Sequence, residues 1–429
     1  MLGGGHGFQD QPRAKHHYYS LAYIKLALDL ISLDLSPRQC VEVIKLVRGY
    51  LLNPPRLCAH TTIRNWNNKR NLGLLTLPSA GQLAGPHALL TDMSMSLGKR
   101  RLLLIVAAPL TKWSFHRPLT MADVHVVGLH LQATFKGQEV AQAIQQVSID
   151  HPAIELSYGI SDGGGELVSG LRQAGVVRVP DCHHYFAKEL KKEYSHRSDY
   201  QSFMTDCLFF KRKNNMNDNA CLLPPRLGHH SRFMNVGLIA QWAMDRLNWR
   251  PPRRGATTWR RLKQSVKWLE KHRAIIEELY AVTQVGYKML ELLKHRGLSH
   301  HTIEQCRSLL RTAQLGESVA QRYERYFTEC VKSLSQRLLD ADYPVVMCSS
   351  DVVESLFGVF KSRTKGRLDS RCLDITHYAR QHMSVKQVQT YLEADTIQGS
   401  TAKLRAMLSN GVQTNRRQIR QQIRQAATN

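Results

Sequence analysis

The sequence predicts a mixed α/β sheet flanked by helices, preceded by an N-terminal helical domain and interrupted by a large all-α insertion. Three observations carry this expectation. Between residues 86 and 180, three strand-like runs follow one another and then alternate with helical patterns. Residues 196–345 read as helix after helix with few strand signals, and residues 346–390 return to a mixed amphipathic pattern.

The chain opens MLGGGHGFQDQPRAKHH, and residues 1–17 read as a flexible, Gly-rich leader without the apolar segment of a signal peptide. Residues 18–80 carry helical patterns. One has a clear start: Ser36 as N-cap, Pro37 at the first helical position and Gln39 closing a capping box, followed by apolar Val43, Ile44, Val47 and Leu51. Pro54 and Pro55 end it, and a further helix begins near Thr61 in HTTIRNWNNKRN. This is a helix-turn-helix-like silhouette. Its last helix is expected to turn Ile63 and Trp66 inward and to present Arg64, Asn65, Asn67, Asn68, Lys69 and Arg70, side chains that bond base edges and phosphates.

The α/β region is expected over 86–195 and 346–390. HALLTDMSMS and RRLLLIVAA, separated by LGK, suit two strands and a hairpin turn, and VHVVGLHLQATF supplies a third strand. A helix in GQEVAQAIQQV, with Val140, Ala143, Ile144 and Val147 apolar, leads to a strand ELSYGIS, a helix ELVSGLRQAG and a strand VVRVP. Three strands that pair as a meander, then strands alternating with helices, imply a mixed sheet covered by helices.

Charge narrows the partner. The 59 Lys and Arg against 34 Asp and Glu leave a formal +25 and a pI near 9.9. Such an excess, clustered along the chain, calls for a polyanion, and nucleic acid is the expected partner. Residues 246–273 hold ten Lys and Arg, among them Arg253, Arg254, Arg260 and Arg261, against the single acid Glu270. Within the tail 391–429, the last 31 residues contain six Lys and Arg and no carboxylate. Nine cysteines without a CxxC pair argue against a disulfide scaffold or a zinc ribbon, and a reducing cytoplasm fits best. The longest apolar run, Leu102–Leu110, is far short of a membrane span.

Three carboxylates stand out. Asp92 lies in the middle of the first predicted strand among apolar neighbours, where a carboxylate is costly to bury unless a cation neutralises it. Asp162 ends another strand in ISDGGGEL, whose glycines are expected to let the backbone turn sharply; the crevice beyond strand ends is the usual ligand site of α/β sheets. Glu354 lies in SSDVVESLFGVFKSRTKGR, a helix with Val353, Leu356, Phe357 and Phe360 as its apolar face. Lys361 follows seven positions later, two turns on and on nearly the same face, with Arg363 and Lys365 beyond it as further phosphate contacts. Asp123, at the start of the third strand, is the rival for the first position. His183 and His184 in PDCHHYFAKEL read as polar neighbours of the site; four zinc ligands at suitable spacing are not visible there.

A strand Asp, a second Asp in a Gly-rich turn after the fourth strand, and a helical Glu followed seven residues later by Lys resemble the DDE transposases of bacterial insertion sequences. The resemblance implies an RNase H-like core in which Asp92, Asp162 and Glu354 converge as catalytic, metal-binding residues. It further implies two Mg²⁺ ions, with Mn²⁺ able to substitute, cleavage at transposon ends and 3′-OH strand transfer into target DNA. Double-stranded DNA is then the partner, a homodimer joins two ends, and the location is the cytoplasm at the nucleoid. No GxxxxGK[ST] loop occurs, so no nucleotide cofactor is expected. Met347 and Ser350 stand where some relatives carry Tyr and Arg, which leaves the subfamily open. A catalytically silent DNA-binding protein and an RNase H-like nuclease without strand transfer are the alternatives.

Overall fold

A computed structural model describes residues 12–50, 56–77, 83–95, 101–110, 117–225, 235–250, 256–313, 315–334, 345–364, 372–379, 383–394 and 397. The chain begins with three helices, α1 (Leu21–Ser32), α2 (Pro37–Arg48) and α3 (His60–Thr76). Strands β1 (Gly85–Met95), β2 (Arg101–Pro109) and β3 (His125–Gln132) follow, then α4 (Gly137–Asp150), β4 (Ile154–Ser161), α5 (Gly165–Gln173) and β5 (Arg178–Pro180). Helices α6 (Cys182–Tyr194), α7 (Ser198–Asn214), α8 (Val236–Asn248), α9 (Ala256–Ser265), α10 (Arg273–Arg296), α11 (His300–Thr312) and α12 (Glu317–Leu334) come next. The described chain finishes with α13 (Asp351–Thr364), α14 (Asp374–Tyr378) and α15 (Val385–Glu393).

The five strands form one mixed sheet in the order β3-β2-β1-β4-β5. β2 pairs antiparallel with both β1 and β3, with Asp92 opposite Leu104 and a bulge between Ile105 and Val106, while β4 and β5 run parallel. The predicted order of three strands, helix, strand, helix, strand is observed. β2 is buried from Leu102 to Ala108, so its unbroken apolar run is that of a strand covered on both faces. The LGK turn lies outside the described residues.

The chain divides into two compact units, one of Met1–Lys112, Leu119–Ser157 and Asp351–Asn429, the other of Trp113–Pro118 and Tyr158–Ser350. In the first, α2 has the predicted start, with the Ser36/Gln39 capping box and Pro37 in its first turn. Its buried face is Cys40 and Ile44; of the other apolar positions in the pattern, Val43 is half-buried, Val47 is 41% exposed and Leu51 lies outside the described residues. α4 buries Val140, Ala141, Ala143, Ile144 and Val147 against β3, the predicted stripe with one alanine added.

Helices α1–α3 do not close a core alone. Ile63, Trp66 and Leu72 share one core with Leu373, Val388, Tyr391, Leu392 and Ile397 from the far end of the sequence. Close approach is built in at Gly73, where a β-carbon would stand 2.3 Å from the Tyr391 ring. Because α14 and α15 cover the second side of α3, Asn67, Arg70 and Asn71 are buried. Ile63 and Trp66 face inward as expected, but Asn67 and Arg70 do not face solvent. Arg70, 3% exposed, donates to Leu28 O (3.0 Å), Ser32 Oγ (2.9 Å) and Asn67 Oδ1; Asp374 Oδ1 accepts from Asn67 (3.0 Å) and Asn71 (3.2 Å). Burial pulls the Arg70 guanidinium down to about 10, with Asp374 opposing that shift.

The second unit carries the predicted run of helices. α10 buries Ile275, Ile276, Leu279, Val282, Met289, Leu290 and Leu293 at helical spacing. Trp242 is buried, donates to Leu222 O (3.1 Å) and lies 6.4 Å from Trp268, so these two tryptophans serve packing. Among the described residues no helix is long and apolar enough to cross a membrane.

Candidate functional site

In the first unit, α13 packs against β1 and against the 3-10 turn Met121–Asp123. Its buried side chains are Val352, Val353, Leu356, Phe357 and Phe360, the predicted apolar face with Val352 added. Packing this stripe leaves Glu354 half-buried at its edge and Lys361 exposed two turns later, its ammonium 5.5 Å from the Phe357 ring centroid. β1 supplies Asp92, also half-buried, whose Oδ1 accepts from Met93 N (2.6 Å). The strand and helix that bear Asp92 and Glu354 are therefore in contact.

Asp123 lies in the turn ahead of β3, not in the strand. Its Oδ2 accepts from Thr120 N (2.8 Å) and Thr120 Oγ1 (2.6 Å), which explains its position as a cap. Arg363 is drawn back onto the protein: it pairs with Asp34 (2.5 Å) and lies 4.4 Å from the Tyr378 ring centroid.

Asp162 belongs to the second unit. Its Oδ1 accepts from Gly164 N (2.8 Å), closing the turn between β4 and α5. The three glycines are expected to let the backbone turn sharply and to leave room for a ligand; the turn is present, with none of Gly163, Gly164 and Gly165 at positive φ. Their use is steric: a β-carbon on Gly164 would lie 3.0 Å from Asp162 Oδ1, and one on Gly163 would lie 3.4 Å from Lys188 Nζ. Arg178 on β5 fixes the turn from below, donating to Ser161 Oγ (2.9 Å) and to the carbonyls of Ser161 (3.3 Å) and Asp162 (2.8 Å). Burial lowers the Arg178 pKa, and the Asp162 carboxylate opposes the shift.

Sequence reasoning missed Asp181. This carboxylate, 1% exposed, caps α6 by accepting from His184 N (2.8 Å) and binds Ser350 through both N (2.6 Å) and Oγ (2.9 Å). An Asp immediately before an amphipathic run is an N-cap signal; its second partner, Ser350, is 169 residues away and has no local signature. The same segment is fixed by a Val346–Leu298 bridge, by Met347 N donating to Tyr158 Oη (2.9 Å) and by Cys182 N donating to Cys348 O (2.9 Å). His183 is half-buried and lines a cavity of about 30 Å³ with Phe186, Leu190, Thr283, Tyr287 and Tyr323.

Of the other candidates, Arg64 and Asn65 are exposed, and Asn68 and Lys69 half-buried; burial lowers the Lys69 pKa. On α9, Arg260 and Arg261 are exposed, with Arg261 paired to Asp218 (2.6 Å). Arg253, Arg254, Lys365 and the basic tail from 398 lie outside the described residues. Among the described residues, no three His, Cys, Asp or Glu side chains are grouped so as to hold a metal ion. No protein-family model matches the chain, and no curated protein matches it.

Proposed function

We propose that this chain is a DNA transposase of the DDE class, with an RNase H-like core in which Asp92, Asp162 and Glu354 are the catalytic carboxylates. The observation that carries the reading is the contact between β1, the central strand, and α13, which belong to the same unit and bear Asp92 and Glu354. The mixed sheet is compatible with the proposed core, and the formal charge of +25 suits a partner that is a polyanion.

Carboxylate oxygens are the donors that Mg²⁺ prefers, so the three residues fit the ion in kind. They do not fit it in grouping, because the described residues contain no ready cluster of three donors. Lys361 is proposed to contact a phosphate, which its exposure supports. Arg64, Asn65, Asn68 and Lys69 are proposed to contact terminal-repeat DNA, and Arg260 and Arg261 its backbone. Joining two ends calls for a homodimer, and the reading carries a nucleoid-associated, cytoplasmic location with it.

The test is cleavage of DNA bearing the element's own ends, in Mg²⁺ or Mn²⁺, comparing wild type with Glu354→Gln at matched DNA binding. Nicking at the ends that vanishes in the variant is the expected result. Binding without cutting by both proteins would sink the reading and favour a DNA-binding protein without catalysis.

A further inference from the structure

Helix α7 buries Phe203, Cys207, Phe210 and Asn214 on one side. On its other side Phe209 is 64% exposed and Met216, just past the helix, is 92% exposed, and nothing among the described residues covers them. Arg212 and Lys213, both exposed, fall between them: Phe209, Arg212 and Lys213 share one helical face at i, i+3 and i+4, and Met216 lies in the turn that follows. No ion pair ties Arg212 or Lys213 to a carboxylate among the described residues. The end of the helix is firmly built, since Asn214 donates to Phe210 O (2.8 Å) and accepts from Asn217 (3.1 Å) and Asn219 (2.9 Å). Asp218, the nearest acid beyond it, is paired with Arg261 of α9 at 2.6 Å, which joins this face to a second basic helix.

Single exposed apolar residues need no explanation, but two that bracket two cations define a surface. A hydrophobic protein groove would bury Arg212 and Lys213 without counter-ions. Duplex DNA would pair with the cations but offer Phe209 no base face. An unpaired strand offers phosphates and open bases together. We propose that this face of α7 binds an unpaired DNA strand, with Phe209 stacking on a base and Arg212 and Lys213 on flanking phosphates. That the strand is DNA rests on the proposed function; that it is unpaired rests on the face itself.

The test is fluorescence anisotropy on the full chain without metal, using a labelled single strand of about 16 nucleotides and its duplex. Phe209→Ala is expected to weaken single-strand binding about tenfold and to leave duplex binding unchanged, while Phe209→Trp retains the tight binding. Arg212→Gln with Lys213→Gln is expected to reduce the slope of log K against log salt by about 1.4. Equal single-strand binding by wild type and Phe209→Ala, or equal loss on both DNA forms, would overturn the proposal. So would anionic phosphatidylserine vesicles displacing the strand in a Phe209-dependent way, or a self-association that Phe209→Ala abolishes with DNA binding unaltered. Because no cleavage enters this assay, failure here leaves the Glu354→Gln experiment standing, and failure there leaves this face standing.

Discussion

Replacing Asp374 by Asn removes one negative charge from a buried network and almost nothing else. The amide oxygen of the new side chain can still accept from Asn67 and Asn71, which now bond to Asp374 Oδ1 at 3.0 and 3.2 Å. What disappears is the largest attraction that offsets burial of the Arg70 charge. Arg70 is held down to about 10 even with Asp374 ionised, a net burial cost of about 3 kcal/mol on its charge. An uncompensated buried ion costs about 3–5 kcal/mol, so Asp374→Asn is expected to destabilise the first unit by that amount, roughly 10 °C in thermal unfolding. Arg70→Met should cost a similar amount by stranding the carboxylate. The Arg70→Met/Asp374→Asn double variant should recover most of the loss, since it removes both charges and keeps the oxygen that accepts from Asn67 and Asn71. Circular dichroism melts of the four proteins close the cycle. Additive single effects, or an Asp374→Asn loss below about 1 kcal/mol, would refute the network as described. The same variants separate structure from recognition: Arg70→Met should leave the salt slope of DNA binding unchanged, whereas Arg64→Gln should lower it by about 0.9.

Three further outcomes are expected. Gly73→Ala should destabilise by about 2 kcal/mol despite the better helix propensity of Ala, because the new methyl would lie 2.3–2.9 Å from Cγ, Cδ1 and Cβ of Tyr391; chemical denaturation measures it. Burial is the largest cause lowering the pKa of His17, His130 and His151 below the ordinary 6.5, against Glu393 for His17 and Asp150 for the other two. The native state therefore binds fewer protons than the unfolded chain, so this contribution is intact above pH 6.5 and is lost as pH falls below it. Urea midpoints between pH 7.5 and 5.5 should decline, and less so in His130→Gln; a flat profile would contradict the assignment. Asp181→Asn should cost about 2 kcal/mol in the second unit, since one amide NH₂ must now face the donors of Ser350 or His184, and hydrogen exchange at the Ser350 amide should rise accordingly.

How much of this was legible depends on where each residue's partners lie in the sequence. α4 and α13 showed their buried faces because one stripe at helical spacing meets one surface. The start of α2 was legible because Ser36, Pro37 and Gln39 are all local. Arg70 was misread because the cover over α3 comes from residues 373–397, and a polar residue under such a lid looks like a solvent-facing one until the lid is known. The glycines after Asp162 show in the sequence as a tight turn with room beside it, but not that the room is taken by the Asp162 carboxylate itself and by Lys188. Strand β5 is shorter than VVRVP suggested, because Val176 N is drawn to Leu171 O at the end of α5.

The lid over α3 also sets a timetable. Asn67 and Asp374 are 307 residues apart, which at about 5–20 residues per second is roughly 15–60 s of ribosomal synthesis. Throughout that interval Arg70 can reach Leu28 and Ser32, but the side of α3 that residues 373–397 cover stays open and Asp374 is missing. The second unit, by contrast, draws on Trp113–Pro118 and Tyr158–Ser350, all of it made before residue 351. The nascent chain can therefore complete its second unit before its first, and the open side of α3 waits for residues 373–397.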